Sequence, residues 1–306
     1  MNFFCSALAP LLLLLISCLK PSGDIAPPEE NPPAPKDSII WGASFGAMQG
    51  ESQAGSFERV KKAFGKYQVA RIFCSGNPVW PAYIPVETVA HISFKMKPNE
   101  VLNGAKDAVL TQFFKGLAVT STIYWTYFHE PEDNIHNGAF TAAEYRDAFD
   151  YIIDLQKKLG KPNLIPTLCL MAYSLDPASK RNWKDYLPKK VELISWDGYY
   201  RDVMGDDVSQ VFGDVRKVMK TAGLPWAVAE TGVNKMKNSG RVNEVMDIEK
   251  RKKLLTALAK DISSNDPLPV FVSYFDSAPP HDASYSSWRI SDDPAMIAAW
   301  TAGQQK

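Results

Sequence analysis

The chain has no surplus of either charge. Its 34 Lys and Arg are matched by 34 Asp and Glu over 306 residues. Without a basic excess there is no electrostatic footprint for nucleic acid. Histidine is scarce: the four residues, at 91, 129, 136 and 281, share no ligand spacing on one strand or helix. HExxH, CxxC and any Cys/His cluster of zinc spacing are missing. That argues against a bound metal and ranks a metal-dependent hydrolase last. No GxGxxG follows the first apolar strand, so a dinucleotide cofactor is not indicated and none of another kind is expected. No repeat of solenoid period is present. Of the four cysteines, Cys5 and Cys18 fall in the leader. Cys74 and Cys169 sit inside apolar, strand-like runs and read as two buried free thiols.

What is present begins with an N-terminal apolar run, residues 7–18 (ALAPLLLLLISC), too short to span a bilayer as a mature helix. Residues 1–18 read as an export signal. The segment Leu15-Ile16-Ser17-Cys18 resembles a bacterial lipobox, which implies cleavage before Cys18 and lipid attachment to its thiol. Residues 19–37 carry prolines at 21, 27, 28, 32, 33 and 35 and few apolar side chains. Such a segment favours an extended, semi-rigid tether.

From residue 38 to 306 short apolar runs alternate with helix-length amphipathic segments. Strands are expected at 38–46, 69–76, 91–96, 120–130, 164–175, 191–200, 225–233 and 269–277. Helices are expected at 56–65 (Ser56 as cap, Gly65 as stop), 103–118, 141–160 and 208–223, then a basic helix through residue 258, and 292–300. Thr141 and Glu144 form a capping box ahead of the third helix. Eight strands alternating with helices over about 270 residues point to an α/β fold, a single (β/α)8 TIM barrel, with an open doubly wound sheet as the competitor.

In such a barrel the working residues come from the C-terminal ends of the strands. Those ends supply Trp41, Phe45, Arg71, His129, Glu130, Glu132, Trp196, Asp197, Tyr199, Glu230, Tyr274 and Asp276, with Trp288 in the last loop. Glu130 and Glu230 each close an apolar strand, on strands that face one another across the mouth. Cleavage of a glycosidic bond needs two flanking carboxyl groups, one to protonate the leaving oxygen and one to attack the sugar or activate water. Glu132 and Asp133 compete with Glu130 as the acid. Pro131 is expected to push Glu130 towards extended backbone and so to favour it, leaving Glu132 and Asp133 at the rim. Strict alternation turns Trp125 and Tyr127 outward against the helices. Trp288, then Trp41, is the expected aromatic platform for a sugar face.

Three segments, in order, carry a family resemblance: His129-Glu130 after the fourth strand, "SWDGYY" (195–200) on the sixth, and "AVAETG" (227–232) on the seventh. Together they resemble the family 26 glycoside hydrolases, β-mannanases among them, within the clan of retaining (β/α)8 glycosidases. The resemblance implies Glu130 as general acid/base, Glu230 as nucleophile, Tyr199 as its hydrogen-bond donor, Arg71 as a second stabiliser, and His129 as an orienter of Glu130 or a substrate contact. Trp196 and Asp197 are expected in supporting roles. The loop after Glu130 (PEDNIHNG) departs from the glycine- and tryptophan-rich loop of the mannanases, so the chemistry carries over better than mannan specificity. The expectation is an exported monomer acting on β-linked polysaccharide, touching a membrane only through the lipid on Cys18. The rival is a non-catalytic glycan-binding barrel.

Overall fold

The computed structural model describes residues 39–236, 244–277 and 287–304. The leader, Cys18, the Pro-rich tether and His281 lie outside them.

Eight parallel strands close into one barrel in chain order, with the last pairing the first. They are β1 (Ile40–Ser44), β2 (Val69–Cys74), β3 (Ala90–Phe94), β4 (Ile123–Tyr127), β5 (Leu164–Met171), β6 (Leu193–Tyr200), β7 (Trp226–Val233) and β8 (Phe271–Tyr274). The helices are α1 (Gln53–Phe64), α2 (Pro98–Leu102), α3 (Asp107–Gly116), α4 (Pro131–His136), α5 (Ala142–Lys157), α6 (Gly213–Ala222), α7 (Ile248–Ser264) and α8 (Pro294–Gly303). The strands are buried on both faces, which is why they read as continuous apolar runs rather than alternating ones.

Their outer faces carry the large aromatics. Trp125 meets Phe114 of α3 at 5.0 Å and Phe149 of α5 at 5.4 Å, and Tyr127 stacks on Tyr145 at 5.7 Å. Trp125 and Tyr127 therefore point outward, as alternation requires. The inner face has an apolar floor of Val69, Tyr124, Leu193, Ala227 and Phe271. Buried polar side chains occupy the levels above it, among them His91, Thr126, Thr167, Ser195 and Ser273. Thr126 Oγ1 donates to Thr167 O at 2.6 Å, so the His91 Nε2 at 2.8 Å must be the donor to Thr126. Burial, then the Arg71 charge, holds His91 well below its ordinary value, hence neutral. Gly42 is where β1 and β2 come closest: a Cβ there would stand 1.7 Å from Val69 O.

Some helix boundaries differ from expectation, each for a local reason. α1 is capped by Ser52, whose Oγ accepts the Gly55 N–H at 3.0 Å, whereas Ser56 is buried within it. Gly65, at φ 63°, ends it as expected. The helix expected over 103–118 starts late, as α3 at Asp107, because Gly104 at φ 79° breaks the run after the unexpected short α2. The expected start at residue 208 is a short 3-10 turn, and α6 begins at Gly213. The capping box of Thr141 and Glu144 on α5 is complete. Cys74 and Cys169 are buried free thiols.

Candidate active site

β4 ends at Tyr127, three residues before the strand reading placed its end. The backbone turns left-handed at Phe128 (φ 52°) and again at Glu130 (φ 50°, ψ 59°). Glu130 is therefore not extended. Pro131 does exclude right-handed helix for the preceding residue, but the chain answers with the left-handed region instead. Two non-glycine residues there cost about 1–3 kcal/mol each, and such strain gathers at functional sites. Tertiary hydrogen bonds hold the turn: Phe128 N–H to Phe94 O at 2.7 Å, and Glu130 N–H to Cys169 O at 3.1 Å.

Pro131 then starts α4, and this overturns the rim placement of Glu132. Glu132 is fully buried. Its Oε1 accepts the Met171 N–H at 2.8 Å and the Ser174 hydroxyl at 2.9 Å, tying α4 to the end of β5. Asp133 is exposed at the rim as expected, paired with Arg181.

Glu230 depends on an irregularity that strand alternation does not predict. Along β6 and β7, Trp196 pairs Val228 but Asp197 pairs Glu230, leaving Ala229 as an extra residue. The β7–β8 pairing slips at the same place. Ala227 belongs to the barrel floor, so unbroken alternation would send residue 230 outward to the helices. The bulge at Ala229 turns Glu230 back inward, opposite Asp197. Nor does Glu230 close its strand, since β7 runs on to Val233.

Both oxygens of Glu230 are held. Arg71 Nη2 lies 3.1 Å from Oε1, and the Tyr199 hydroxyl donates to Oε2 at 2.6 Å. Arg71 also donates to Ser93 Oγ at 2.8 Å and to Ile72 O at 3.1 Å, and its guanidinium lies 4.0 Å from the Phe73 ring centre. These partners offset part of the cost of burying the ion pair, and Arg71 Nε has none among the described residues. Burial, followed by the Glu230 charge, pushes the Tyr199 phenol well above its ordinary value, so it stays a donor. Asp197 accepts the Cys169 thiol at 3.3 Å. Burial first, then the Glu230 and Glu130 charges, raises Asp197 well above the usual carboxyl range.

Glu130 shares the cleft with Asp197 and Tyr199. Burial and then the Glu230 charge raise its carboxyl to about 7, against the opposing pull of Lys95 and Arg71. The two glutamates thus stand in unlike settings: one holds a guanidinium and a phenol, the other is half-buried at the cleft and faces a like charge. His129 is held neutral by burial and then by the Arg71 and Lys95 charges. Its ring lies 5.6 Å from Phe73, and its Nδ1 has no partner among the described residues. The hydrogen bond to Glu130 expected of an orienter is not formed.

Trp288 does reach the site, with Tyr199 at 5.4 Å and Phe275 at 5.7 Å. Gly232 makes room for it, since a Cβ there would come within 2.9 Å of the indole. Asp276 anchors the same loop by accepting the Ile290 and Ser291 N–H groups at 2.7 and 2.9 Å. Trp41 and Trp196 are corrected. Trp41 is buried edge-on against Trp300 at 5.6 Å, and Trp196 is fully buried beside Trp183 at 6.3 Å. Both point outward, because each is one residue out of phase with an inward neighbour, Gly42 and Asp197. Phe73 and Phe275 complete the aromatic mouth and were not singled out from sequence. Phe73, 40% exposed, could have been found: it follows Arg71 by two residues on β2 and shares its face. An open cleft of about 900 Å³ runs from Glu130 past Tyr199, Tyr173 and Arg201 and on along α6 to Lys220 and Asp261.

No protein-family model and no curated protein matches this sequence. Solved structures do match the fold. The catalytic domain of a family 26 endo-β-1,4-mannanase from Bacillus sp. JAMB-750 superposes with a TM-score of 0.57 at 14% identity, covering 87% of this chain and 86% of that one. A family 128 endo-β-1,3-glucanase from Amycolatopsis mediterranei, in complex with laminaritriose, gives 0.53 at 13% identity, covering 86% and 100%. A family 128 oligosaccharide-binding protein from Trichoderma gamsii gives 0.53 at 16% identity, covering 90% and 98%. The chain has the closed (β/α)8 architecture of these proteins.

Proposed function

We propose that this protein is a glycoside hydrolase that cleaves β-linked polysaccharide, β-mannan or a related β-glucan or xylan, by retaining double displacement. The observation that carries this reading is the asymmetry of the two glutamates. Glu230, gripped by Arg71 and Tyr199, is suited to attack the anomeric carbon as a carboxylate and then to leave from the glycosyl-enzyme. Glu130, with its carboxyl raised to about 7, is suited to hand a proton to the departing oxygen and take one back from the incoming water. The mannanase and glucanase of like fold agree with the substrate class. The oligosaccharide-binding protein of the same fold keeps pure binding as the second reading. A binder would have no use for two carboxyl groups in opposed settings.

The apolar leader ending in LISC and the Pro-rich tether support export and a lipid anchor on Cys18. The deciding experiment assays reducing ends released from β-mannan, mixed-linkage glucan and xylan. Glu230→Ala should abolish turnover, and Glu130→Gln should spare only substrates with good leaving groups. Products first released in the β-configuration establish retention. Binding without release of reducing ends from any polymer refutes the catalytic reading in favour of the second.

A further inference from the structure

Tyr173 stands in the 3-10 turn Ala172–Leu175 that follows β5 and is 42% exposed. Two guanidinium groups flank that ring, Arg181 and Arg201, each 5.7 Å from its centre. They are not equivalent. Arg181 is tied to Asp133. Arg201, the residue after β6, is exposed, and its guanidinium has no hydrogen bond or ion pair with any described residue. Asp202, the next residue, is engaged with Lys250 at 3.3 Å, and Asp176, three residues after Tyr173, accepts the Ala178 N–H at 2.9 Å. Tyr173 and Arg201 line the cleft that holds Glu130 and Tyr199.

We propose that Tyr173 and Arg201 form a subsite for an anionic sugar unit of the substrate, one bearing a carboxylate or a sulfate ester. A guanidinium fork matches either anion with two parallel N–H donors, and an exposed phenol ring offers a flat face to the sugar carbons. Arg201 has no protein anion to give up, so the incoming group displaces only water. The placement of this subsite beside the cleaved bond rests on the glycosidase reading. The anion preference itself does not.

The test is affinity electrophoresis through gels containing unmodified β-mannan, the same polymer oxidised at C6 to the uronate, and the same polymer O-sulfated. A parallel set uses mixed-linkage β-glucan. The readout is the ratio of affinity for anionic over neutral polymer. Wild type should favour one anionic form about tenfold, the scale of one hydrogen-bonded charge, and the two anionic gels tell carboxylate from sulfate. Arg201→Ala should bring the ratio close to one, while Arg201→Lys keeps part of it because the charge remains without the fork. Roughly 1 M salt, with a screening length of about 3 Å, should lower the wild-type ratio. Equal or weaker retention on the anionic polymers, or a wild-type ratio in Arg201→Ala, overturns the proposal. Reducing-end release that vanishes in Glu230→Ala reports separately on catalysis. A ratio without hydrolysis sinks the enzyme reading and keeps the subsite, and hydrolysis without a ratio does the reverse.

Discussion

The Tyr199 phenol on β6 donates to one oxygen of Glu230 at 2.6 Å, while Arg71 on β2 meets the other at 3.1 Å. Donors from two separate strands thus fix a single carboxyl group in orientation. Tyr199→Phe keeps the ring against Trp288 and Phe275 but deletes the donor. A hydrogen bond to a charged group is worth about 1.5–3 kcal/mol. The variant should lose roughly 10- to 150-fold in kcat/KM with little change in thermal midpoint. Wild-type kinetics in Tyr199→Phe would mean that the phenol is not needed at Glu230.

Glu130 has to be protonated to act as an acid. Its carboxyl is raised to about 7, so kcat/KM should fall as pH rises through that value. Lys95 is the largest influence opposing the shift, and its ammonium lies 5.1 Å from the Phe128 ring centre. Removing that cation favours the neutral acid, so Lys95→Met should move the alkaline limb to higher pH. The pH profile of kcat/KM for both proteins checks this. An unmoved limb would show that another group sets it.

The barrel was legible because each strand is an apolar run bounded by polar segments and helix signals, and because eight such runs leave few other ways to bury them. Much of the site was legible as well, since Arg71, Glu130, Tyr199 and Asp197 belong to strand ends or their first loops. Two features were not. The bulge at Ala229 leaves no mark on composition, because an alanine fits either face and only the pairing of β7 with its neighbours reveals the extra residue. The left-handed turn at Glu130 is equally silent, because Phe128 and Glu130 are residue types that seldom adopt it, and tertiary hydrogen bonds impose it. Trp41, Trp196 and Glu132 depart from expectation for one reason: nearness to a strand end does not fix where a side chain points, and phase within the strand, or the first turn of α4, decides its direction.

Glu132 sets a stability prediction of definite sign. Burial raises its carboxyl from an ordinary 4.5 to about 7, with its hydrogen bonds from Met171 and Ser174 opposing the shift. Between those values the folded protein holds a proton that the unfolded chain has released. Its contribution is therefore complete below about 4.5 and is lost as pH rises through about 7. Glu132→Gln keeps an acceptor for Met171 N–H and cannot ionise, so the urea midpoint should vary less with pH over this window. Glu132→Ala leaves the Met171 N–H buried without its acceptor and should cost about 1–3 kcal/mol. An unchanged pH dependence in Glu132→Gln would place the proton elsewhere.

Trp288 and Trp41 should separate binding from stability. Trp288 lies over Gly232 at the mouth, against Tyr199 and Phe275, and is positioned to stack on a sugar ring. Trp288→Ala should raise KM roughly tenfold, the worth of about 1.4 kcal/mol of lost contact, with a smaller fall in kcat through a loosened Tyr199. Trp41 packs edge-on against Trp300 of α8, away from the mouth. Trp41→Ala opens a cavity between barrel and helix that should cost about 3–5 kcal/mol and lower the thermal midpoint, while KM stays close to wild type in the folded fraction. Steady-state kinetics and thermal denaturation of both variants check the contrast. If Trp41→Ala raised KM as Trp288→Ala does, the sugar-contacting surface would extend beyond the mouth drawn by Phe73, Phe275 and Trp288.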